Sequence, residues 1–416
     1  MILKHNLLKT LGPGILFAST AIGVSHLVQS TRAGADYSFG LLIAIVLANV
    51  LKYPFFEYGS RYANDTKTSL IDGYMKIGKW MLALYFILTV GTMFFVTAAV
   101  GMVTAGFMEN LFGIRIPMLM TTILFLLCLT ILVVGKYSVL DSLIKIVGAV
   151  LLLSTLVAFI LTLIHGPVNE QAFSLSSGFW TNKKDIGFLI ALMGWMPTAI
   201  DLSTWNSLWT LERIKQTKYT PTMKETLFDF NLGYILSAVL SICFVTLGAY
   251  IIYGSDVPIS NNKAEFANDV VNLYSYTIGS WSYFIIAAAA FSIMFGTCIA
   301  VFDGYARSLN RSIELLFLNE SIRNNAKKTQ LITLTILSLG AFLIILYFSN
   351  NPIGFKKLID LATTLSFLVA PLVAIVNFKL VMQYISKKNR PKLWLQILSY
   401  LGIFFLVGFS IYFFTI

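Results

Sequence analysis

Of the three histidines in the chain, His5, His26 and His165, only His26 sits deep within a long apolar block. An imidazole at that depth can ligate a metal, accept a proton or bind an anionic group, and ionisable groups inside a membrane are functional by default. The structural alternative is a ring hydrogen-bonded to the backbone of a neighbouring helix. Small and polar residues surround it: Gly12-Pro13-Gly14, then Ala18-Ser19-Thr20-Ala21-Ile22-Gly23-Val24-Ser25-His26. A second constellation reads Met193-Gly194-Trp195-Met196-Pro197-Thr198-Ala199-Ile200-Asp201. Pro197 removes an intrahelical hydrogen bond and disfavours helix at the residue before it, and each freed carbonyl needs a partner that an ion or substrate can supply. Ser25, His26, Trp195 and Thr198 are therefore candidate substrate-binding residues, and His26 and Asp201 candidate proton or coupling residues. Asp201 has a structural alternative too, pairing with a basic residue at the inner interface.

The elements that must position these residues follow from composition. Only 12% of the 416 residues are charged and 57% are hydrophobic, whereas an ordinary soluble domain is roughly 25% charged. The apolar residues fall in blocks of a length that spans a bilayer, about 20 residues each. This predicts an all-α integral membrane protein with about eleven transmembrane spans at residues 11–30, 39–60, 80–108, 117–134, 139–165, 186–210, 227–253, 282–306, 330–349, 357–383 and 393–415. The N-terminal block is read as span 1 rather than as a signal peptide, because Gly, His and Arg follow it without a cleavage pattern. The loop 254–281, the longest polar stretch, could carry a short surface helix, but it reads first as a solvated connection. The net charge of +11 does not indicate nucleic acid, since the basic residues are scattered through short loops. With the N-terminus in the cytoplasm, Lys and Arg are biased roughly threefold to the cytoplasmic loops, as the positive-inside rule requires. That predicts a multi-pass protein of the cell's inner membrane. Cys128, Cys243 and Cys298 have no disulfide or metal-type spacing.

Within the spans, Lys52, Glu57 and Arg61 read as a structural charge cluster at the inner end of span 2, and Asp303 as a partner of Arg307 at i, i+4. The breaks in spans 1 and 6 lie five spans apart. Interrupted segments at corresponding positions of two halves mark a transporter binding site, which predicts a first inverted repeat over 1–165, a second over 186–384 and an additional helix over 393–416.

At these residues the chain resembles the Nramp family of proton-coupled divalent-metal transporters, which have the LeuT fold. The resemblance rests on Gly12-Pro13-Gly14 with Ala33-Gly34-Ala35, on Gly135-Lys136-Tyr137-Ser138-Val139-Leu140-Asp141 through Lys145, and on Met196-Pro197. It implies a LeuT-type five-plus-five repeat with one extra helix. It also implies a site that includes Gly23, where the family carries a metal-binding Asp, the carbonyl of Met193, and the thioether of Met196. His26 stands where the family has Asn, and Thr198 and Ala199 replace its His and Asn in span 6. The family's acidic helix 3 positions correspond approximately to Thr97 and Val100. His26 and Met196 are thus the metal-ligand candidates, a set that suits softer transition metals better than Mg or Mn.

The resulting expectation is a secondary-active transporter, not an enzyme, needing no cofactor. Its partners are the bilayer and a transported ion or small solute. The site lacks the family's acidic metal ligand, so a small organic or anionic solute is the alternative cargo. No Walker-type loop is present to couple ATP, and no H-E-x-x-H pair to support an intramembrane hydrolase.

Overall fold

The computed structural model describes residues 9–134, 137–255, 260, 262–317, 326–350 and 354–415, and among these every regular element is helical. The Gly135-Lys136 part of the family resemblance, and Asp256 in the loop 254–281, lie outside them. Helix α1 (Pro13–Ala21) starts on a proline, where the missing N–H costs nothing. A π-helical turn, Ser25–Ser30, leads into α2 (Thr31–Tyr37). Then come α3 (Leu42–Thr66), α4 (Leu70–Ile77), α5 (Lys79–Phe112), α6 (Pro117–Val134) and α7 (Tyr137–His165). The second half holds α8 (Lys183–Gly194), α9 (Leu202–Thr217), α10 (Met223–Ile251), α11 (Lys263–Ile278), α12 (Tyr283–Phe317), α13 (Ala326–Ser349), α14 (Gly354–Gln383) and α15 (Leu393–Thr415).

Among the described residues, seven helices are long and apolar enough to cross a membrane: α3, α5, α10, α12, α13, α14 and α15. Shorter apolar helices cover Met118–Val134 and Leu152–His165. The blocks at 11–30 and 186–210 are each divided, the first into α1, a π-helical turn and α2, the second into α8 and α9. Helices satisfy their own backbone groups, which lipid cannot do.

The packing puts the two divided blocks inside. α1 and α2 lie on α10, α9 lies on α3, and α5 lies on α12. α14 packs on both α5 and α8, while α7 packs on both α12 and α1. Where α1 and α2 cross α10, glycines let backbones touch. A Cβ on Gly14 would lie 1.9 Å from the Asp229 carbonyl oxygen, and one on Gly248 would lie 2.2 Å from that of Thr31. The α3–α9 crossing uses the same device at Gly59, whose Cβ would meet the Ser203 carbonyl at 2.2 Å. Small residues at crossings are how membrane helices gain close van der Waals contact.

Two expectations need correction. The loop 254–281 is not merely a solvated connection: α11 folds there, capped by the Asn262 side chain, with Phe266, Ala267, Val270 and Val271 buried. Its Lys263 forms a buried ion pair with Glu109 of α5 at 2.7 Å. The charge cluster of α3 is also split. Glu57 and Arg61 pair as expected, but Lys52 turns away from them. At 3.6 residues per turn, positions five apart point about 140° from each other.

The connection between α3 and α5 is also ordered. The side chains of Ser69 and Asp72 form a reciprocal capping box on α4, and Asp72 forms an ion pair with Arg311 at the end of α12. α12 runs on to Phe317, beyond the 306 read from hydropathy. Burial alone would raise the Asp72 carboxyl, but hydrogen bonds from Arg311 and Ser69 outweigh it and hold the group below the usual carboxylate value. A depressed carboxyl stabilises the fold above its unfolded value of about 3.9, and that contribution is lost as pH falls through the folded value. Asp72→Asn should therefore lower the thermal midpoint in detergent at neutral pH, with the difference from the unmodified chain shrinking as the buffer is acidified. An equal deficit at every pH would show that the Asp72 charge is not what holds α4.

Candidate substrate site

The site is built where the two divided blocks meet. α8 ends at Gly194 and α9 begins at Leu202. The local reason is Pro197: a continuous helix would need its N–H to satisfy the Met193 carbonyl, and proline has none. Close packing adds to this, because a Cβ on Gly194 would lie 2.3 Å from the Thr363 carbonyl of α14. On the other side, Gly23 separates α1 from the π-helical turn, and its carbonyl accepts from the amides of His26 and Leu27.

The two breaks are joined directly. The Ser25 hydroxyl lies 3.0 Å from the Pro197 carbonyl, 2.5 Å from the Ala21 carbonyl and 2.7 Å from Nδ1 of His26. His26 is fully buried, and its Nε2 lies 2.8 Å from the Ser237 carbonyl of α10. A carbonyl only accepts, so this geometry assigns the proton to Nε2. The Ser25 hydroxyl has a single proton, for which Nδ1 of a neutral ring competes with the Ala21 and Pro197 carbonyls. Nε2 thus has no lone pair for a metal, and Nδ1 faces the Ser25 hydroxyl.

The other predicted residues are close by but differ in what they offer. Gly23 is packed so tightly that a Cβ would lie 2.7 Å from Cγ2 of Thr297; Thr297 in turn donates to the Ser19 carbonyl at 2.8 Å. Met196 is wholly buried, as is the side chain of Met193. Trp195 donates from Nε1 to the Ser366 hydroxyl of α14 at 2.8 Å. Thr198 is buried. Asp201 precedes the first turn of α9, accepts from the Tyr305 hydroxyl at 3.5 Å and interacts electrostatically with Lys52. Thr97 and Val100 are buried on α5, and the Thr97 hydroxyl has no hydrogen-bond partner. Among the described residues no three His, Cys, Asp or Glu side chains cluster as a metal site.

Lys52 was missed as a site residue. Its ammonium donates to the carbonyls of Met193, Gly194 and Thr198 at 3.1, 3.0 and 2.9 Å, and it is fully buried. The signal was a lysine in mid-span, which is rare and costly in lipid; its nearness in sequence to Glu57 and Arg61 hid it. The helix rotation that separates it from them was readable.

Each end of the site is closed by a separate polar contact. On one side Arg32 of α2 pairs with Asp360 of α14 at 3.1 Å, bonds Gln29 at 3.0 Å, and lies 4.7 Å over the Phe188 ring. On the other, the Asp229 carboxylate of α10 accepts from the amides of Gly12 and Gly14 at 3.0 and 2.7 Å. Gly12-Pro13-Gly14 thus marks the helix N-terminus that an acidic side chain caps.

The family described as Natural resistance-associated macrophage protein-like, Nramp, matches residues 14–415. The chain belongs to the Nramp family. It is a multi-pass membrane transport protein, not an enzyme. An uncharacterized protein of Pasteurella multocida is 35% identical over 412 residues, covering 98% of this chain and 92% of its own. Among solved structures, a manganese transporter of Eremococcus coleocola in complex with an aromatic bis-isothiourea compound aligns with a TM-score of 0.72 at 14% identity, over 99% of this chain and 86% of that one. A nucleobase-cation-symport-1 family transporter with bromovinylhydantoin bound aligns at 0.59 and 14% identity, over 97% and 92%. The MhsT structure with L-phenylalanine aligns at 0.58 and 12% identity, over 97% of each chain. These likenesses give this Nramp chain the LeuT fold.

The packing at Gly23 makes a specific demand. Gly23→Ala should destabilise the detergent-purified chain by about 1–3 kcal/mol, the usual cost of overpacking, and pairing it with Thr297→Ser, which removes the methyl group it meets, should recover part of the loss. A thermal-unfolding series in which Gly23→Ala is neutral would refute the contact.

Proposed function

We propose that this chain is a secondary-active transporter that works by alternating access, with its substrate held at the breaks of spans 1 and 6. The observation that carries this is the Ser25–Pro197 contact: it joins two helix breaks in a buried polar patch between two separate closures. In this reading Arg32–Asp360 is the outer gate and Asp229 on the α1 N-terminus is the inner latch. The substrate-contacting residues are Gly23, Ser25, His26, Met193, Trp195, Met196 and Thr198, and His26 and Asp201 carry the coupling proton. The membrane is the inner membrane, with the N-terminus in the cytoplasm, as the loop charges favour.

The packing supports inverted repeats over 1–165 and 186–384, with 393–416 as an addition. Adding five to each span number turns α2 on α10 into α9 on α3, α5 on α14 into α12 on α7, and α1 on α7 into α8 on α14. Each such pair of contacts is present.

The cargo favoured by the geometry is a small neutral or anionic organic solute. Lys52 contributes a positive charge beside the break, and Gly23 contributes no carboxylate to offset a dication. Two unit charges about 4 Å apart repel by about 4 kcal/mol at an effective dielectric of about 20, and a divalent ion doubles that. The second reading, a soft divalent metal bound by His26 and Met196, is favoured by the Nramp family and the manganese transporter likeness. It requires the His26 ring to give up one hydrogen bond.

Two measurements test this. The purified chain is screened by thermal shift against amino acids, nucleobases, carboxylates and salts of Mn, Fe, Co, Zn, Cd and Mg, and stabilising compounds are then assayed for uptake into liposomes. An organic hit is expected, with uptake reduced about tenfold or more by His26→Ala or Ser25→Ala; uptake that survives joint replacement of His26 and Asp201 would overturn the site. Asp229→Asn weakens the inner latch by removing the negative charge at the α1 N-terminus, a change worth about 0.3–2 kcal/mol. It should raise thiol labelling of an Ala18→Cys reporter from the cytoplasmic face, and unchanged labelling would mean that Asp229 gates nothing.

A further inference from the structure

The breaks expose carbonyls that a mobile cation would ordinarily satisfy, and here a side chain reaches them first. Met193, Gly194 and Thr198 present three oxygens to one point. Each is free for a local reason. The Met193 carbonyl faces a proline four residues on, the Gly194 carbonyl lies where the helix stops, and the Leu202 amide that would reach Thr198 donates to Ala199 instead. A cluster of backbone oxygens is the donor set that hard cations prefer. An ammonium has three donors and no acceptor, so three carbonyls saturate it. The Phe56 ring lies 5.9 Å from the same nitrogen and adds a cation–π contact.

We propose that the Lys52 ammonium is a tethered cation that takes the place of an inorganic ion at the span 6 break, so that the chain works without a metal or alkali ion bound to these carbonyls and excludes one from them. The proposal rests on the reading of the break as the substrate site. Three observations support it. Lys52 is fully buried and the three donors of its ammonium are all taken by these carbonyls, which fixes the nitrogen at this position. α3 is held at fixed height against α9 by the close backbone crossing at Gly59 and Ser203. Asp201, which follows the same break, interacts electrostatically with the ammonium. The cation and its counter-charge are thus both covalent parts of the chain. A bound ion leaves during each cycle; a lysine on α3 can only loosen or tighten its hold on the break. Substrates that carry their own positive charge meet this one, and substrates with a carbonyl or carboxylate can accept from it when the break opens.

The test reads cation binding, not transport. The full-length chain in detergent is titrated calorimetrically with MnCl2 and, separately, with NaCl. The unmodified chain is expected to give no saturable binding of either at millimolar concentrations. Lys52→Ala empties the seat while leaving the carbonyls, and it should gain saturable binding of Na or Mn, at least about tenfold tighter than the unmodified chain. Should that variant be unstable, it is purified in parallel in sodium, potassium and choline buffers. Recovery of a monodisperse protein in an alkali-ion buffer but not in choline is the expected rescue. The proposal is overturned if the unmodified chain binds Mn or Na saturably, if a folded Lys52→Ala gains no cation, or if the variant is lost in all three buffers. Uptake enters none of these readouts. A failed transport assay leaves them standing, and a failed cation test leaves the transport reading open.

Discussion

Backbone carbonyls cannot be left bare in a dry interior, and the centre of this molecule is organised around that constraint. An unmade hydrogen bond to a buried polar group costs about 1–3 kcal/mol. Pro197 strands the Met193 carbonyl, and the end of α8 strands Gly194. The fold answers with Lys52 from α3 and Ser25 from span 1. Three separate parts of the chain are tied to one interruption. The energetic reason for the break's shape is therefore also the reason the surrounding helices hold their register.

The same logic runs outward. The π-helical turn brings Ser25 and His26 to the break, and the Ser237 carbonyl fixes the ring from α10. The α10 helix can serve both as partner to His26 and as latch for α1 because glycines bring its backbone against span 1. Both ends of span 1 are held by charges: Arg32 of α2 pairs with Asp360, and the Asp229 carboxylate accepts from the amides of Gly12 and Gly14.

In this member of the Nramp family the Lys52 ammonium bonds three carbonyls of the span 6 break. Where the family resemblance calls for a carboxylate, Gly23 is packed on Thr297 with no room for a side chain.

The sequence by itself determined the solvent and the spacing of elements. Charge scarcity and apolar block length identify a helical membrane protein, and Pro197 with its glycines marks span 6 as interrupted whatever surrounds it, because those effects are local to the backbone. It also marked His26, since a lone deep histidine is conspicuous in a chain with three. Only the tertiary structure decided what these groups face. Whether the His26 nitrogens are open depends on Ser237, 211 residues away. The destination of Lys52 depends on α8 and α9, 141 to 146 residues away, and α11 is seated on α5 through the pair of its Lys263 with Glu109. Side-chain chemistry can be read along a chain, but the partner that satisfies a buried polar group comes from another helix, and that pairing is a property of packing.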